Sequence, residues 1–445
     1  MTSIDRRRFL TGSVAAASTA GTGMHQAAAS DRIIVGLMGC GGRGTGLINM
    51  IAHRPDIDIR YLCDVDQRQF GRVAAEVSDI TGTVPQRITD FRRMLDDAEV
   101  DVVINATPNH WHGPGTVMAC QAGKHVYVEK VASHNIWEGR KMVEAARKYN
   151  RVVQVGIQCR SADYVRHAIE LVQSGKLGTI HSVWVNQMMK NGPMNQQASG
   201  KPVPDGLDWD MYCGPAPLKP FPRSLKGLWL TSREFSTGII YQDAVHQMDL
   251  ARWLIGKKQP DSVMLTGGNC VRKDGNDFPD TQNVAYQYGD IVLTVNGSTN
   301  CPYMQVDWKD PTWDADSDMF PNWMLNNTRV KVFGTEGCML ISRHGGGYLA
   351  YGRDGGILAS EHGREPTVRH LDNFFECIRN GERPNGDIEE GHISATMCHL
   401  GNISYFLGNR KVRFDSATET FPGDPEANKL LKRTYREPWT IPDEV

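Results

Sequence analysis

A glycine-rich hexapeptide constrains this chain more than any other feature. Gly39-Cys40-Gly41-Gly42-Arg43-Gly44 stands between an apolar run, 32–38, and a stretch with helical spacing at Leu47, Met50 and Ile51. Between a strand and a helix these glycines have separate tasks. Gly39 allows the tight turn, Gly41 lets the main chain approach a pyrophosphate, and Gly44 lets the helix pack closely on the strand. The N–H groups that open the helix, at Gly42 and Arg43, then hold the phosphates. Asp64 closes a second, alternating run at 57–63, twenty positions after Gly44. A carboxylate there accepts hydrogen bonds from ribose hydroxyls. The combination predicts a dinucleotide site. A carboxylate repels a 2′-phosphate, so NAD is expected ahead of NADP, with Arg68 as a nearby charge that softens the preference.

The flanking pattern supports this reading. Strand-like runs at 57–63, 101–106, 125–130 and 152–156 alternate with helical stretches at 45–53, 89–96 and 136–149. Units of that length imply a doubly wound parallel sheet with helices on both faces, a Rossmann domain over 31–156. The period changes after residue 157. One helix at 162–174 precedes long strand-like runs at 180–189, 262–270, 283–288, 291–298, 329–333 and 339–342, with turn signals such as Tyr288-Gly289-Asp290 between them. An α+β domain with a large, mostly antiparallel open sheet is expected over 157–415, ending in helices at 370–379 and 388–407. A C-terminal extension follows over 416–445, and the overall class is α/β. The stretch 191–230 is long and rich in Pro and Gly, and a connection of that length is usually functional. An open sheet commonly buries an apolar face against a second copy, so a homodimer or homotetramer is expected.

The N-terminus does not belong to either domain. Arg6-Arg7-Arg8-Phe9-Leu10 precedes a weakly apolar stretch rich in Ala, Ser and Gly, and Ala27-Ala28-Ala29 offers a small-residue cleavage site. That order, with paired arginines, reads as a twin-arginine signal peptide over 1–29. It predicts export in the folded state to the periplasm or beyond. No cysteine stands at the cleavage site, so no lipid anchor is expected. Removing three Arg and one Asp with the leader takes the formal charge from −2 to −4, and no basic block remains to favour nucleic acid. No apolar run is long enough to span a bilayer. The ten cysteines are scattered, without Cys-x-x-Cys pairs, so no structural metal is expected. Cys63 and Cys120 sit in apolar runs and read as small core residues.

Further motifs extend the argument to chemistry. Ala106-Thr107-Pro108-Asn109-His110-Trp111-His112, the stretch 122–130 ending in Glu129-Lys130, and His246-Gln247-Met248-Asp249 together resemble the Gfo/Idh/MocA oxidoreductases. The resemblance covers most of the mature chain and is strongest over 32–160. It implies that Thr107, Pro108, Asn109 and His112 line a nicotinamide pocket. It also implies that Glu129 and Lys130 bring a lysine close to both nicotinamide and substrate hydroxyl. Oxidising an alcohol requires a proton to leave with the hydride, and a lysine of lowered pKa or a histidine suits that task near neutral pH. Lys130 and His246 are therefore the acid–base candidates.

Two positions depart from the family pattern. Relatives commonly carry an acid four residues before this histidine, where this chain has Gln242. Asp243, three residues before His246, is placed to orient the imidazole on a helix. Relatives usually have proline, often cis, after the lysine, where this chain has Val131. A cis bond without proline costs about 2.5–4 kcal/mol, so a local backbone that either differs or is strained is expected here. Arg160, Tyr164, Asn186 and Gln187 are expected to face the cleft, with Gln242 and His246 beside the substrate. Trp111, Trp184, Trp209 and Trp229 are candidates to stack on a sugar face.

The expected reaction is hydride transfer between bound NAD(H) and a hydroxyl of a sugar, polyol or glycoside. Free nicotinamide nucleotide is expected to be scarce outside the cytoplasm, which favours a nucleotide carried along and recycled. A redox-neutral glycosidase or lyase acting through a transient keto-sugar is the first alternative. A sugar-binding protein that keeps the nucleotide for structure is the second.

Overall fold

In the computed structural model, residues 32–189, 196–301, 329–343 and 345–445 are described. The leader predicted over 1–29 lies outside them. The first sheet has six strands: β1 (Ile33–Met38), β2 (Ile57–Cys63), β3 (Gln86–Ile88), β4 (Val102–Asn105), β5 (His125–Val128) and β6 (Val153–Val155). All pairs are parallel, in the order β3-β2-β1-β4-β5-β6. The central strands are buried on both faces, which explains why β1 and β4 read as unbroken apolar runs. Helices α1 (Gly42–Ala52), α2 (Phe70–Thr81), α3 (Arg92–Asp96), α4 (His112–Gln121) and α5 (Ile136–Lys148) make the crossovers. α5 starts where the Asn135 side chain caps the Glu138 N–H at 2.9 Å. The short strand β3 was not expected from sequence; with three residues it leaves no period to read.

Helix α6 (Asp163–Gln173) leads into the second sheet. Its strands are β7 (Ile180–Met188), β8 (Ser262–Gly268), β9 (Thr281–Tyr288), β10 (Ile291–Ser298), β11 (Arg329–Gly334), β12 (Gly337–Ser342), β13 (Tyr348–Gly352), β14 (Ile357–Glu361) and β15 (Val412–Arg413). Their order is β14-β13-β12-β11-β7-β10-β9-β8-β15, and every pair is antiparallel except β7 with β10. Between β7 and β8 come α7 (Trp209–Cys213), α8 (Leu225–Thr231) and α9 (Tyr241–Leu254), the first two of which give the described part of the Pro- and Gly-rich stretch helical structure. α10 (Thr367–Asn380), α11 (Ile388–Phe406) and α12 (Pro425–Asn428) complete the chain. No helix of the described residues is long and apolar enough to cross a membrane.

The two sheets are tied together by returning chain. Leu371, Phe374 and Phe375 of α10 pack into the core that β1 and α1 build with Val35, Leu37, Leu47 and Ile48. The His370 carbonyl accepts from Gln154 Nε2 at 2.7 Å, and Val155 N–H donates to the Gly386 carbonyl at 2.8 Å. A second tie is ionic and buried. Arg160 and Arg252 both pair with Asp249 and Glu390, at 2.6–3.0 Å, and Ser394 Oγ donates to Asp249 at 2.7 Å. That network joins α9 and α11 to the chain entering α6.

Candidate active site

The glycine turn has the geometry its sequence predicts. Gly39 has φ of +97°, and a Cβ there would lie 2.7 Å from the Ala106 carbonyl oxygen. A Cβ on Gly44 would lie 1.9 Å from the Gly39 carbonyl oxygen, so the helix can approach the strand only without a side chain. Gly41 and Gly42 meet nothing within 4 Å and open onto a cavity of about 360 Å3. A side chain on Gly41 would project into this space, which suits a turn that receives a ligand through its main chain. The residues present therefore fit a dinucleotide.

Asp64 lines the same cavity and accepts from the N–H groups of Cys40 at 2.8 Å and Asp66 at 2.9 Å. Burial pushes its pKa up to about 6, against the pull of those two N–H groups. Arg68 is not available to a 2′-phosphate in this arrangement. It forks onto Asp66 instead, at 2.7 and 2.8 Å. Arg43 is likewise engaged, its Nε 2.6 Å from Glu129 Oε1 across the cavity floor.

Thr107, Pro108, Asn109 and His112 line the neighbouring wall. His112 is buried with Nδ1 2.8 Å from the Val131 carbonyl and Nε2 2.8 Å from the Thr107 carbonyl. The ring thus locks the Thr-Pro loop to the chain after Lys130. The Lys130–Val131 peptide bond is cis, so of the two alternatives expected from Val131 the differing backbone does not occur. Lys130 Nζ donates to the Gln242 carbonyl at 2.5 Å. Burial pulls the lysine pKa below its ordinary value, while the charges of Glu129 and Asp243 oppose the shift.

Asp243 lies close enough to His246 to feel its charge, as the spacing suggested, and it has further partners. Its carboxylate takes a 2.6 Å ion pair from Arg343 and a 2.8 Å hydrogen bond from Gln187. Burial alone would raise its pKa, but the charges of Arg343, His246 and Lys130 hold it well below the carboxylate range. His246 is buried one turn further along α9. Asp243 is therefore a fixed negative charge shared among three cationic or basic groups. Gln242 points the other way, onto Asn109 Oδ1, with Ser236 and Thr237 hydroxyls at 3.5 and 3.4 Å.

The remaining substrate candidates separate. Arg160 is committed to the buried Asp249 network and stacks on Trp253, 4.7 Å from the ring centroid. Tyr164 donates to the Ser342 carbonyl at 2.7 Å from within the core. Their helical position suggested a cleft, but both side chains turn to structural partners. Asn186 accepts from Asn296 at 3.2 Å on the sheet. Trp111 and Trp229 line the cavity, whereas Trp209 stacks on Tyr212 at 5.1 Å and Trp184 packs on Phe333 at 4.6 Å.

Sequence reasoning found only Trp229 of one wall of the cavity and missed its neighbours. Met211, Tyr212, Leu225 and Trp229 close it from the 204–235 segment, facing Asp64 and Asp66. That segment docks on the first sheet through Gln67 N–H to the Gly206 carbonyl (2.9 Å) and Asp208 N–H to the Val65 carbonyl (2.8 Å). Arg343 was also missed, since nothing in its flanks marks it as the partner of Asp243. Among the described residues no group of three His, Cys, Asp or Glu side chains is placed to hold a metal ion.

Comparison with known proteins gives the same architecture. The model for the oxidoreductase family with an NAD-binding Rossmann fold matches residues 33–157, and that for its C-terminal alpha/beta domain matches 169–401. The chain belongs to the Gfo/Idh/MocA family. An uncharacterized oxidoreductase of Streptococcus pneumoniae is 27% identical over 59% of this chain and 66% of its own length. A glycosyl hydrolase family 109 protein of Saccharopolyspora erythraea is 28% identical over 34% of each chain. The matched stretches thus span between one third and two thirds of these relatives. Among solved structures, aldose-aldose oxidoreductase from Caulobacter crescentus, complexed with glycerol, superposes with a TM-score of 0.63 at 19% identity, covering 86% of this chain and all of that one. Levoglucosan dehydrogenase in complex with NADH and levoglucosan superposes at 0.61 and 18% identity, over 86% of this chain and 99% of that one. At such identities the superpositions speak for the shared fold. As a family member the chain carries an NAD-binding domain and a second domain with a nine-stranded sheet.

Proposed function

We propose that this protein transfers a hydride to or from a hydroxyl of a sugar, polyol or glycoside, with a nucleotide that stays bound between turnovers. The observation that carries the chemistry is Lys130. It is a buried amine of lowered pKa on the floor of the dinucleotide cavity, close enough to feel the charge of Asp243. When bound, NAD supplies the hydride acceptor. The amine of Lys130 takes the proton of the substrate hydroxyl during oxidation and returns it during reduction. Asp243, held ionised by Arg343, stabilises the protonated forms of Lys130 and His246. The Gly39–Gly44 turn, Asp64 and the Thr107–His112 segment hold the dinucleotide.

The wall formed by 204–235 favours retention, because Met211, Tyr212, Leu225 and Trp229 add contact surface on the side of the cavity away from the glycine turn. Retention in turn favours cycles that restore the nucleotide: exchange of a hydride between two sugars, or transient oxidation of a glycoside followed by elimination. The second reading gains support from the relative named glycosyl hydrolase family 109. The twin-arginine leader gives retention a reason, since an exported enzyme of this type carries its nucleotide with it. Assembly as a homodimer or homotetramer through the second sheet is part of the same proposal, supported by exposed Trp184, Met264 and Ile357.

The test is mass spectrometry of small molecules released from purified protein, with near-ultraviolet absorbance recorded as sugars and glycosides are added. Bound NAD or NADH whose absorbance responds to a sugar, and whose response is lost in Lys130→Ala, supports hydride transfer. Aglycone release without net reduction selects the elimination route. A bound nucleotide that responds to nothing, in wild type and variant alike, leaves a sugar-binding protein and overturns the proposal.

A further inference from the structure

Lys130 stands in a closed ring of contacts. Its Nζ donates to the Gln242 carbonyl at 2.5 Å, in the first turn of α9. The side chain of the same glutamine crosses to the Thr107–His112 wall, where Gln242 Nε2 donates to Asn109 Oδ1. Asn109 Nδ2 in turn donates to the Val131 carbonyl at 3.3 Å, one residue past the lysine. Amine, helix turn, cavity wall and the lysine's own main chain are thereby linked in a circle. Asn109 and Gln242 are only 2% and 6% exposed, so each bond lost leaves a buried polar group unsatisfied.

The direction of these bonds requires an amide at position 242. Asn109 commits its N–H donors to the Val131 carbonyl, so its Oδ1 is turned to α9 and needs a donor there. The acid that relatives commonly carry at this position sets lone pair against lone pair. Charge points the same way. Each carboxylate that acts on the lysine has its own guanidinium: Glu129 pairs with Arg43 at 2.6 Å, and Asp243 with Arg343 at 2.6 Å. Both arginines act on the lysine in the opposite sense. His112 is buried with a lowered pKa and adds no charge at neutral pH, and His246 follows one turn along α9. A carboxylate at 242 adds an unbalanced negative charge beside Lys130 and favours its protonated form.

We propose that Gln242 is a positioning residue for Lys130, a neutral amide that clasps Asn109 and so holds the amine on the Gln242 carbonyl. An amine fixed in this way approaches a substrate hydroxyl from one direction, and a neutral neighbour leaves it ready to take the proton. This inference rests on the reading of Lys130 as the acid–base group. It gives a residue that departs from the family pattern a task of its own.

Competitive acetylation with acetic anhydride, followed by mass spectrometry of the peptides, reads the reactivity of Lys130 against pH without any turnover. The reagent reaches the amine because Lys130 lines the cavity and is partly exposed. The full-length protein is used with whatever nucleotide it retains. Lys124, buried and bonded to the Asp97 carbonyl at 2.7 Å, is the internal reference that separates local release from loss of fold. Gln242→Glu is expected to move the apparent pKa of Lys130 up by about one unit or more. Gln242→Met keeps the volume without the amide. It is expected to raise the labelling rate of the deprotonated amine about threefold or more, as the lysine leaves its carbonyl. Asn109→Ala is expected to give the same rise, and the double variant no more than either single one, because the two amides act as a unit. Gln242→Glu, closest to the wild type in shape, carries the test should Gln242→Met not fold. Unchanged labelling of Lys130 in both Gln242 variants, with Lys124 protected, overturns the proposal. A shift in Gln242→Glu with Gln242→Met like wild type leaves a charge effect without positioning and also overturns it, as do rises that simply add in the double variant. The two readings fail separately, since labelling needs no substrate. The expected labelling in a protein whose nucleotide responds to no sugar upholds the ring and removes only hydride transfer.

Discussion

Asp64 and Lys130 are the two residues whose environments most directly set the chemistry, and their shifts run in opposite directions. Burial raises Asp64 to about 6, so in the free protein the carboxylate is largely protonated below that pH. Ribose hydroxyls donate to the ionised form, so nucleotide binding releases a proton in acid. Affinity for NAD is therefore expected to be flat above pH 7 and to fall about tenfold per pH unit below about 6. Fluorescence titration with NADH at several pH values checks this, and Asp64→Asn should remove the dependence while lowering affinity overall. For Lys130, burial lowers the pKa. The rate of alcohol oxidation should then rise with pH and level off below the ordinary lysine value. Lys130→Ala is expected to lose about 10²–10⁴ in kcat with nucleotide binding retained, which is the usual contribution of a positioned acid–base group. A variant that keeps its rate would remove Lys130 from the mechanism.

At the level of elements, what could be read from sequence follows a physical division. The turn 39–44, β1, α1 and Asp64 were legible because a strand, three glycines, a helix and an acid are local constraints, written within 32 residues of chain. Lys130 and the Thr107–His112 segment were legible through resemblance. Arg343 with Asp243, and Tyr212 opposite Asp64, were not, because those meetings are made by the tertiary fold across distant segments. Arg160 shows the reverse error. Its place at the start of a helix suggested a substrate contact, yet Asp249 lies 89 positions away and takes it into a buried ion pair. That network has a testable consequence. Asp249→Ala leaves Arg160 and Arg252 buried with only Glu390 between them and is expected to cost about 3–5 kcal/mol of stability. Asp249 is held below its ordinary pKa, as Arg160 and Arg252 outweigh the burial that would raise it. Its contribution is thus complete above about pH 4 and is lost as pH falls through the lower folded value. Denaturant unfolding of wild type and variant at pH 7 and in acid measures both effects. Equal stability of the two proteins at pH 7 would show that Glu390 alone satisfies the arginines.

Across the whole molecule, the C-terminal residues tie together the two sides of the dinucleotide cavity. Residues 433–439 run from the first sheet's helices to the 204–235 segment. Arg433 pairs with Glu138 and donates to the His110 carbonyl at 2.7 Å. Arg436 holds the segment itself, through the Gly214 carbonyl at 2.9 Å and Asp210 at 2.6 Å. Trp439 then packs edge-on against Trp111, with ring centroids 5.0 Å apart, and lies 6.2 Å from Phe91. Trp111 and Phe91 line the dinucleotide cavity from one side, and Met211 and Tyr212, beside Asp210, line it from the other. The tail therefore clamps both lips of one cavity without lining it. Removing residues 433–445 deletes these ties together with buried Trp439, Ile441 and Val445 and the partner of buried Glu138, while both sheets keep their strands. The truncated protein is expected to be less stable but to bind NAD where it folds, with release at least about tenfold faster, since loss of one to two charge-assisted bonds to the cover is worth that much. A release time course into excess competing nucleotide measures it, with Trp439→Ala as an intermediate case. If the truncated chain retains nucleotide as long as the full chain, the tail is not the clamp, and retention must reside in the 204–235 wall and its bonds to Val65 and Gln67.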